Sequence, residues 1–413
     1  MSISQNSRRQ FVKHTAFAAG SFGLVGPASS SAPLFSEELS VRYEEYIGLP
    51  VSEAPTPALL VDLDVFEKNM SHMAEICRQR HCAYRPHGKA HKSSLVGKKQ
   101  LAAGAGGICA GKLGEAEVFV AGGIRDVLIT TEVVGRRKIE RLMQIAKLAP
   151  DLKVVADNEM NVADLAAAAR SSGVRLGVLV DVNVGQNRTG VDTPEAAATI
   201  AKAIGSFGSL RFAGVQAYGG TNMHVVGYEN RRAASMWALE RAIRAKEAIE
   251  RAGLKVEIMS VGGTGTYSID AGYPGVTEIQ PGSYIFMDSH YRSIGGESSD
   301  VFDDFGNSLS VLTTVISRPS KGRAITDGGY KALSTDAGLP IVKDARGVTF
   351  QPGGDEHGIL LLKDPGRDFR IGENVEFIPS HCDTTVNLHN VFWATRKGRI
   401  EAVWPIEARG RTD

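Results

Sequence analysis

The 413-residue sequence has almost no net charge and no long apolar run beyond its first residues. Its 47 lysines and arginines balance 46 aspartates and glutamates, which gives a formal charge of +1 at neutral pH. Proteins that bind nucleic acid usually carry a strong basic excess, so the composition gives no support for that function. After about residue 32 no apolar run is long enough for a membrane-spanning helix.

Cysteine is also scarce. The four cysteines contain no C-x-x-C pair, which argues against a disulfide framework and against a structural zinc knuckle. Cys77 and Cys82 could pair in an oxidising compartment, but spacing alone does not show that they do. We therefore expect ordinary buried thiols.

The first 32 residues have their own character. The stretch "SRRQFVK" (Ser7 to Lys13) places adjacent arginines before an apolar run of small residues, and "PASSSAP" follows it. This pattern predicts a twin-arginine export signal over residues 1–32 and a periplasmic protein. The alternative is a disordered basic tail, because motifs of this kind have false positives.

From residue 55 to 287 the sequence alternates short strand-like runs with amphipathic helical stretches. Eight such runs begin with "CAYRPH" (Cys82–His87) and end with "TEIQPG" (Thr277–Gly282). Eight strands with helical crossovers predict an α/β fold, a (β/α)₈ TIM-type barrel. A further strand-like run, Ala58–Asp62, precedes them and could pair outside the barrel.

After Met287 the pattern changes to short strand-like runs separated by glycine, proline and aspartate turns. This pattern is typical of an all-β domain. We expect residues 288–413, together with 40–54, to form this C-terminal β domain.

The stretch "RPHGKAHKS" (Arg85 to Ser93) concentrates five basic side chains at the end of the first predicted barrel strand. Active sites of such barrels lie at the carboxyl ends of the strands. On an extended backbone Arg85, His87, Lys89 and His91 would share one face. Cationic neighbours would then lower the pKa of Lys89 and activate its amine. The alternative is a solvated basic loop or a patch for an acidic partner.

Other candidate residues follow other predicted strands. Arg188 follows the fifth, His224 follows the sixth, and "GGTGTY" (Gly262–Tyr267) follows the seventh. Barrels commonly bind phosphate with the loops after strands seven and eight. A phosphate loop opposite a lysine suggests pyridoxal phosphate held as a Schiff base. A plain strand-to-loop turn is the simpler explanation of the glycines.

The predicted β domain carries "PSHCDTTVN" (Pro379–Asn387). In a strand His381 and Asp383 would point to one side and Cys382 to the other. Imidazole and carboxylate ligands suit a hard divalent cation such as Mn²⁺ or Mg²⁺. A hydrogen-bonded histidine in a turn is the alternative.

Together these motifs resemble the alanine-racemase-type (fold type III) pyridoxal-phosphate enzymes. More closely, the chain looks like the group of D-threonine aldolases and D-serine dehydratases. The resemblance covers about residues 55–395 and rests on "TPALLVDLD", "YRPHGKAHKS", "VDVNVGQNRTGV", "QAYGG", "SVGGTGTY", "EIQPGSYIFMD", "GDEHG" and "PSHCDTTVNLH".

The resemblance implies Lys89 as the Schiff-base lysine and His381 and Asp383 as the metal pair. Arg188 and Tyr218 would lie near the cofactor, with Arg188 near the pyridine nitrogen. A homodimer is also implied. The implied phosphate loop consists of Gly263, Thr264, Gly265 and Thr266.

Within this group the dehydratases show His-x-Cys at the metal pair and the aldolases show His-x-Asp. The order His381-Cys382-Asp383 therefore indicates an aldolase. We expect retro-aldol cleavage of D-threonine and related D-β-hydroxy-α-amino acids to glycine and an aldehyde. In that reaction His224 would take the hydroxyl proton.

Three other functions stay open at this point. The first is a D-serine or D-3-hydroxyaspartate dehydratase of the same family. The second is an amino-acid racemase, in which the metal pair would have no purpose. The third is a non-catalytic pyridoxal-phosphate carrier, although such carriers are short single barrels without the added β domain.

Overall fold

The computed structural model describes residues 42–413. The predicted export signal, residues 1–32, lies outside this range. Within it, all four cysteines are buried free thiols, as expected from the sequence. No helix of the described part is both long and apolar enough to cross a membrane.

Eight parallel strands form the predicted barrel. Each strand pairs with the next one along the chain, the first also pairs with the eighth, and a parallel bridge between His87 and Cys109 joins the first to the second. The central strands are buried along their whole length, so their sequences are apolar runs without alternation. The strands are β2 (Ala83–Tyr84), β3 (Ile108–Ala110), β4 (Val127–Ile129), β5 (Lys153–Ala156), β6 (Leu176–Asp181), β7 (Leu210–Ala217), β8 (Ile258–Val261) and β9 (Glu278–Ile279).

Helices connect these strands. Two of them begin at side-chain caps: Asn158 accepts from the N–H of Met160, and Thr193 from that of Ala196. The helices are α1 (Leu63–Gln79), α2 (Ser94–Ala102), α3 (Leu113–Ala121), α4 (Arg136–Leu148), α5 (Glu159–Ser172), α6 (Pro194–Ser206), α7 (Tyr228–Arg251), α8 (Tyr267–Asp270), α9 (Ser289–Arg292) and α10 (Cys382–Val386).

Nine further strands form a second, mostly antiparallel sheet, the predicted β domain. They are β1 (Ala58–Asp62), β10 (Leu309–Ser320), β11 (Arg323–Thr326), β12 (Ile341–Val342), β13 (Val348–Pro352), β14 (Gly358–Leu362), β15 (Asn374–Ile378), β16 (Val391–Arg396) and β17 (Arg399–Pro405).

Strand β1 lies inside this second sheet although it precedes the barrel in sequence. Leu60 pairs with Ser310 of β10 on one side and with Trp393 of β16 on the other. The range 55–287 given to the barrel from sequence therefore includes one strand of the second sheet. Strand β1 thus pairs with one strand about 250 residues further along the chain and with another about 330 residues further along.

Candidate active site

Lys89 stands at the carboxyl end of β2, in a tight 3-10 turn over Gly88–Ala90. The ring Nδ1 of His87 accepts a hydrogen bond from the Lys89 N–H at 3.4 Å. A side chain at Gly88 would collide with Phe119, whose ring carbon lies 2.4 Å from the position of an added Cβ. The expected extended backbone with one shared basic face is therefore wrong, because the chain turns at Gly88.

Arg85 lies in the barrel interior, away from Lys89. Its guanidinium pairs with Glu278 at 3.1 Å and with Asp126 at 2.7 Å, and Lys153 also reaches Asp126 at 2.8 Å. Asp126, Lys153 and Glu278 stand at the amino-terminal ends of their strands, opposite the Lys89 end. Arg85 thus neutralises the buried carboxylates of Asp126 and Glu278 and does not set the pKa of Lys89.

The two histidines of the basic stretch are buried and uncharged. His87 Nε2 lies 3.1 Å from the Thr130 hydroxyl, and His91 Nδ1 accepts from the Ser93 N–H at 3.1 Å. Burial lowers the pKa of His87 well below its ordinary value and that of His91 to about 4. Lys92 is paired with Glu115 at 2.5 Å. Most of the apparent positive charge of the stretch is therefore absent or neutralised.

The pKa of Lys89 is raised, which overturns the expected lowering by cationic neighbours. The largest cause is the oxygen of Tyr218, and the carboxylate of Asp383 adds to it; burial and Arg188 act in the opposite direction. The amine lies 3.9 Å from Asp383 Oδ2 and 5.8 Å from the centre of the Tyr218 ring. Arg188 contacts the same ring, with its guanidinium carbon at 5.6 Å.

Lys89 opens into a cavity of about 300 Å³ at the carboxyl ends of the strands. The structure thus brings together Lys89, Arg188 and Tyr218, as predicted. His87, also named from the sequence, lines the cavity too. The structure adds lining residues that the sequence did not single out: Lys92, Gly111, Lys112, Glu115, Thr130, Thr131, Gln216, Gln280, Arg411 and Thr412.

Two of these, Gln216 and Gln280, belong to a buried series of hydrogen-bonded side chains. Gln216 donates to Asp181 Oδ1 at 2.9 Å, and Gln280 donates to the Ser260 hydroxyl at 2.8 Å. A buried amide must satisfy its donors, so these contacts fix both side chains. Both lie inside motifs that carry the family resemblance, "QAYGG" and "EIQPGSYIFMD", but neither residue was singled out there.

The glycine-rich loop follows β8 as predicted. It forms a 3-10 turn over Thr264–Thr266 and continues into α8. At Gly265 an added Cβ would lie 2.0 Å from the carbonyl oxygen of Met223, so only glycine fits there. The Thr264 hydroxyl accepts from the Tyr284 N–H at 3.1 Å. The loop shares the Lys89 end of the barrel, but its residues do not line the 300 Å³ cavity.

His224 ends a 3-10 turn (Gly220–His224) after β7. Its ring stacks on that of His290 with centroids 4.2 Å apart, and its Nδ1 is buried without a hydrogen-bond partner in residues 42–413. Burial, then the nearby His290 and His381, lower the pKa of His224 to about 4. The ring is therefore neutral near pH 7. His290 carried no sequence signal.

His381 and Asp383 lie at the start of a helix, not on a strand. His381 immediately precedes α10, and buried Asp288 accepts a hydrogen bond from the Cys382 N–H at 3.0 Å, which holds this turn. The strand geometry expected for the pair is wrong. Asp383 nevertheless lies next to Lys89, because its Oδ2 is 3.9 Å from the amine.

His381 has an acidic partner that sequence reasoning missed. Its Nδ1 lies 2.7 Å from Asp336 Oδ2. Burial acts to lower the pKa of His381, but the carboxylates of Asp383, Asp336 and Asp288 together raise it. Among the described residues no three His, Cys, Asp or Glu side chains are grouped closely enough to hold a metal ion by themselves.

Comparison with known proteins identifies the family to which the barrel and the β domain belong. Residues 61–290 match the family model "Alanine racemase, N-terminal domain", and residues 308–395 match "Putative serine dehydratase domain". A 3-hydroxy-D-aspartate aldolase of Paracoccus denitrificans (strain Pd 1222) is 39% identical over 367 residues, which cover 88% of this chain and 94% of the relative.

Two further relatives agree. A D-threonine aldolase of an Arthrobacter species is 37% identical over 363 residues, covering 88% of this chain and 95% of the relative. The crystal structure of D-threonine aldolase from Filomicrobium marinum superposes with a TM-score of 0.86 at 37% identity, over 89% of this chain and 99% of that one. The chain belongs to the alanine-racemase-type, fold type III pyridoxal-phosphate family, within its D-threonine aldolase and D-serine dehydratase-like group of lyases.

Proposed function

We propose that this protein cleaves D-threonine and related D-β-hydroxy-α-amino acids to glycine and an aldehyde, using pyridoxal phosphate and a divalent cation, with Mn²⁺ favoured over Mg²⁺. The observation that carries the proposal is the 3.9 Å approach of the Lys89 amine to Asp383 Oδ2. It places an amine that can bind a carbonyl beside a carboxylate that can hold a cation, at one end of a barrel.

The residues present fit the cofactor. Lys89 is the cavity's amine at a strand end, and 41% of its side chain is accessible. The glycine loop after β8 begins a helical turn, whose first N–H groups have no partner in a preceding turn and suit a phosphate. Arg188 and Tyr218 would flank the ring. When bound, pyridoxal phosphate stabilises the electron pair left at the substrate's Cα.

The donor set also fits a hard cation. His381 and Asp383 supply one imidazole and one carboxylate, and Asp336 orients the imidazole through its Nδ1. Two protein ligands leave positions for water and for oxygens of a substrate, as is usual for Mg²⁺-like ions. The cation would acidify the substrate hydroxyl as a Lewis acid.

We propose that His224 accepts the proton of the substrate's β-hydroxyl. Its ring is neutral near pH 7, because burial lowers its pKa to about 4, and its Nδ1 has no hydrogen-bond partner in the described part of the chain. Loss of the hydroxyl proton to His224 accompanies breakage of the Cα–Cβ bond. The β-carbon leaves as the aldehyde, and a proton added at Cα gives glycine.

The second candidate is elimination of the β-hydroxyl, as in a D-serine or D-3-hydroxyaspartate dehydratase. The match of residues 308–395 to a serine dehydratase domain favours it. Against it, the second residue of the pair beside Lys89 is Asp383, while Cys382 is fully buried with a raised pKa. A protonated buried thiol is a poor metal ligand.

Incubation with D-threonine separates the two functions. We expect glycine and acetaldehyde in equal amounts, loss of activity with a chelator, and recovery when Mn²⁺ is restored. Ammonia and 2-oxobutanoate would instead establish the dehydratase. The Lys89→Ala variant should lack both activity and the cofactor absorbance that borohydride bleaches, and retention of that absorbance would contradict the role of Lys89.

A further inference from the structure

The segment from Glu407 to Asp413 is hydrogen-bonded to residues that follow the barrel strands β2 and β3. The Ala408 N–H donates to the Lys92 carbonyl at 2.9 Å, and the Gly114 N–H donates to the Asp413 carbonyl at 3.0 Å. The Asp413 side chain also pairs with Arg141 at 2.5 Å. These contacts come from the turn before α2, the start of α3 and the middle of α4, so three neighbouring elements of the barrel hold the segment in place.

This segment contributes two side chains to the Lys89 cavity. Arg411 and Thr412 line it, whereas Arg409, two residues earlier, does not. In residues 42–413 no carboxylate lies within 4.0 Å of the Arg411 guanidinium nitrogens. Arg411 therefore offers its planar set of donors to whatever enters the cavity.

The lining of the cavity carries more positive charge than one substrate carboxylate would neutralise. Its one lining carboxylate is Glu115, and Glu115 is already paired with Lys92 at 2.5 Å. Arg188 is assigned to the cofactor ring, so Lys112 and Arg411 remain in the cavity lining for the substrate. A cluster of cations with low competition from acidic side chains favours a ligand with several negative charges.

We propose that Arg411 determines substrate specificity by binding a second carboxylate carried on Cβ of the substrate. The preferred class is then a D-β-hydroxy-α-amino acid with a carboxylate in place of a methyl group, such as D-3-hydroxyaspartate. Arginine suits this task because its guanidinium binds a carboxylate through two parallel hydrogen bonds. This inference rests on the proposed function for its substrates, but the binding site itself can be tested without turnover.

The first experiment measures binding by calorimetry on the full-length holoenzyme. D-aspartate carries both carboxylates but no β-hydroxyl, so it has no aldol bond to cleave, and D-alanine lacks the second carboxylate. We expect Arg411→Gln to weaken the binding of D-aspartate roughly 10- to 100-fold, the range for loss of a charge-assisted hydrogen bond. The affinity for D-alanine should stay within about twofold of the wild-type value. Arg409→Gln is the matched control and should change neither.

The second experiment compares kcat/KM for D-3-hydroxyaspartate and D-threonine. We expect Arg411→Gln to lower the value for the dicarboxylic substrate alone, mainly through KM, and expect high salt to reduce the difference. Equal losses for both substrates, or equal weakening of D-aspartate and D-alanine, would overturn the proposal, because Arg411 would then serve the α-carboxylate or the cofactor.

The two proposals fail separately. Absence of glycine from either substrate would contradict the proposed function, while the calorimetric comparison would still decide the role of Arg411. An unchanged affinity for D-aspartate in Arg411→Gln would refute the specificity role even in an active aldolase. Retained cofactor absorbance and an unchanged melting temperature verify that the variant is folded and loaded.

Discussion

The charge of a residue in this protein is set by its surroundings more than by its type. His91 is completely buried beside Phe119, with ring centroids 6.0 Å apart, and its Nε2 has no hydrogen-bond partner among the described residues. Desolvation penalises its charged form and lowers its pKa to about 4. A stretch that looks strongly basic in the sequence therefore presents little charge to the cavity beyond Lys89.

This buried histidine predicts a pH dependence of stability. Because the folded pKa of about 4 lies below the ordinary value of 6.5, the unfolded chain binds the proton more tightly between these pH values. The contribution of His91 to the free energy of unfolding is thus fully present above pH 6.5. It is lost as the pH falls toward 4, by up to about 3 kcal/mol for this one group. His91→Asn keeps an acceptor for the Ser93 N–H but does not titrate.

Urea unfolding of wild type and His91→Asn between pH 4 and 7 measures this contribution. We expect the free energy of unfolding to fall more steeply with acid in the wild type than in the variant. Parallel pH profiles for the two proteins would contradict the role assigned to His91. A His72→Asn variant, which changes an exposed histidine beside Phe305, should keep the wild-type slope.

At the scale of elements, one buried arginine connects three loops of the site. Arg231 on α7 donates to the carbonyl of Gly265 in the glycine loop at 2.8 Å. It also donates to Val225, next to His224, at 3.0 Å, and to Gly295 at 2.7 Å, just beyond α9. Its partners are backbone carbonyls, so it fixes the loops without neutralising a charge.

Removing this connection should loosen the loops together. We expect Arg231→Met to lower the free energy of unfolding by roughly 3 kcal/mol or more, since several buried carbonyls lose their donor. Cofactor affinity should also fall, because the glycine loop loses its anchor. Arg232→Met, at the exposed neighbour that lies 3.9 Å from Glu229, is the control and should cost less than about 1 kcal/mol.

Denaturant unfolding and a cofactor titration of both variants check these expectations. Normal stability in Arg231→Met would show that the loops do not depend on the arginine. Reduced stability with unchanged cofactor affinity would show that Arg231 supports the fold but does not position the glycine loop.

Local pattern predicts much of this fold and site. Eight apolar runs with helical crossovers predicted the barrel, and the positions of Lys89 and the glycine loop after strands were correct because strand order places their ends together. Long-range contacts were not predictable. Asp288 holds the turn at His381 that replaces the expected strand, and Tyr218 and Asp383 raise the pKa of Lys89.

At the scale of the whole molecule, barrel and β sheet share one hydrophobic core. Phe66 on α1 packs near Phe286, with ring centroids 6.2 Å apart, and near Trp404 of β17 at 5.7 Å. Phe286 also packs near Phe392 of β16 at 5.3 Å. Since β1 enters the sheet before α1 continues toward the barrel, neither part completes its core without the other.

A shared core predicts that the two parts unfold together. Of the three tryptophans, Trp393 and Trp404 lie in the β sheet and Trp237 lies on α7, while most helical signal comes from the barrel. We expect fluorescence and far-ultraviolet circular dichroism to report one coincident transition in guanidinium chloride. Phe286→Ala should shift both signals equally, by about 3–5 kcal/mol, because it leaves a cavity at the junction.

The exposed Ile371 supplies the comparison, since Ile371→Ala removes an apolar side chain that is 68% accessible and should change stability by less than about 0.5 kcal/mol. Two separated transitions, or a shift confined to one signal in Phe286→Ala, would mean that the barrel folds independently of the sheet. In that case His381 and Asp383, the proposed metal ligands at the start of α10, would separate from Lys89 before the barrel unfolds, and activity would be lost ahead of the helical signal. A coincident loss of activity, fluorescence and helicity is what the common core predicts.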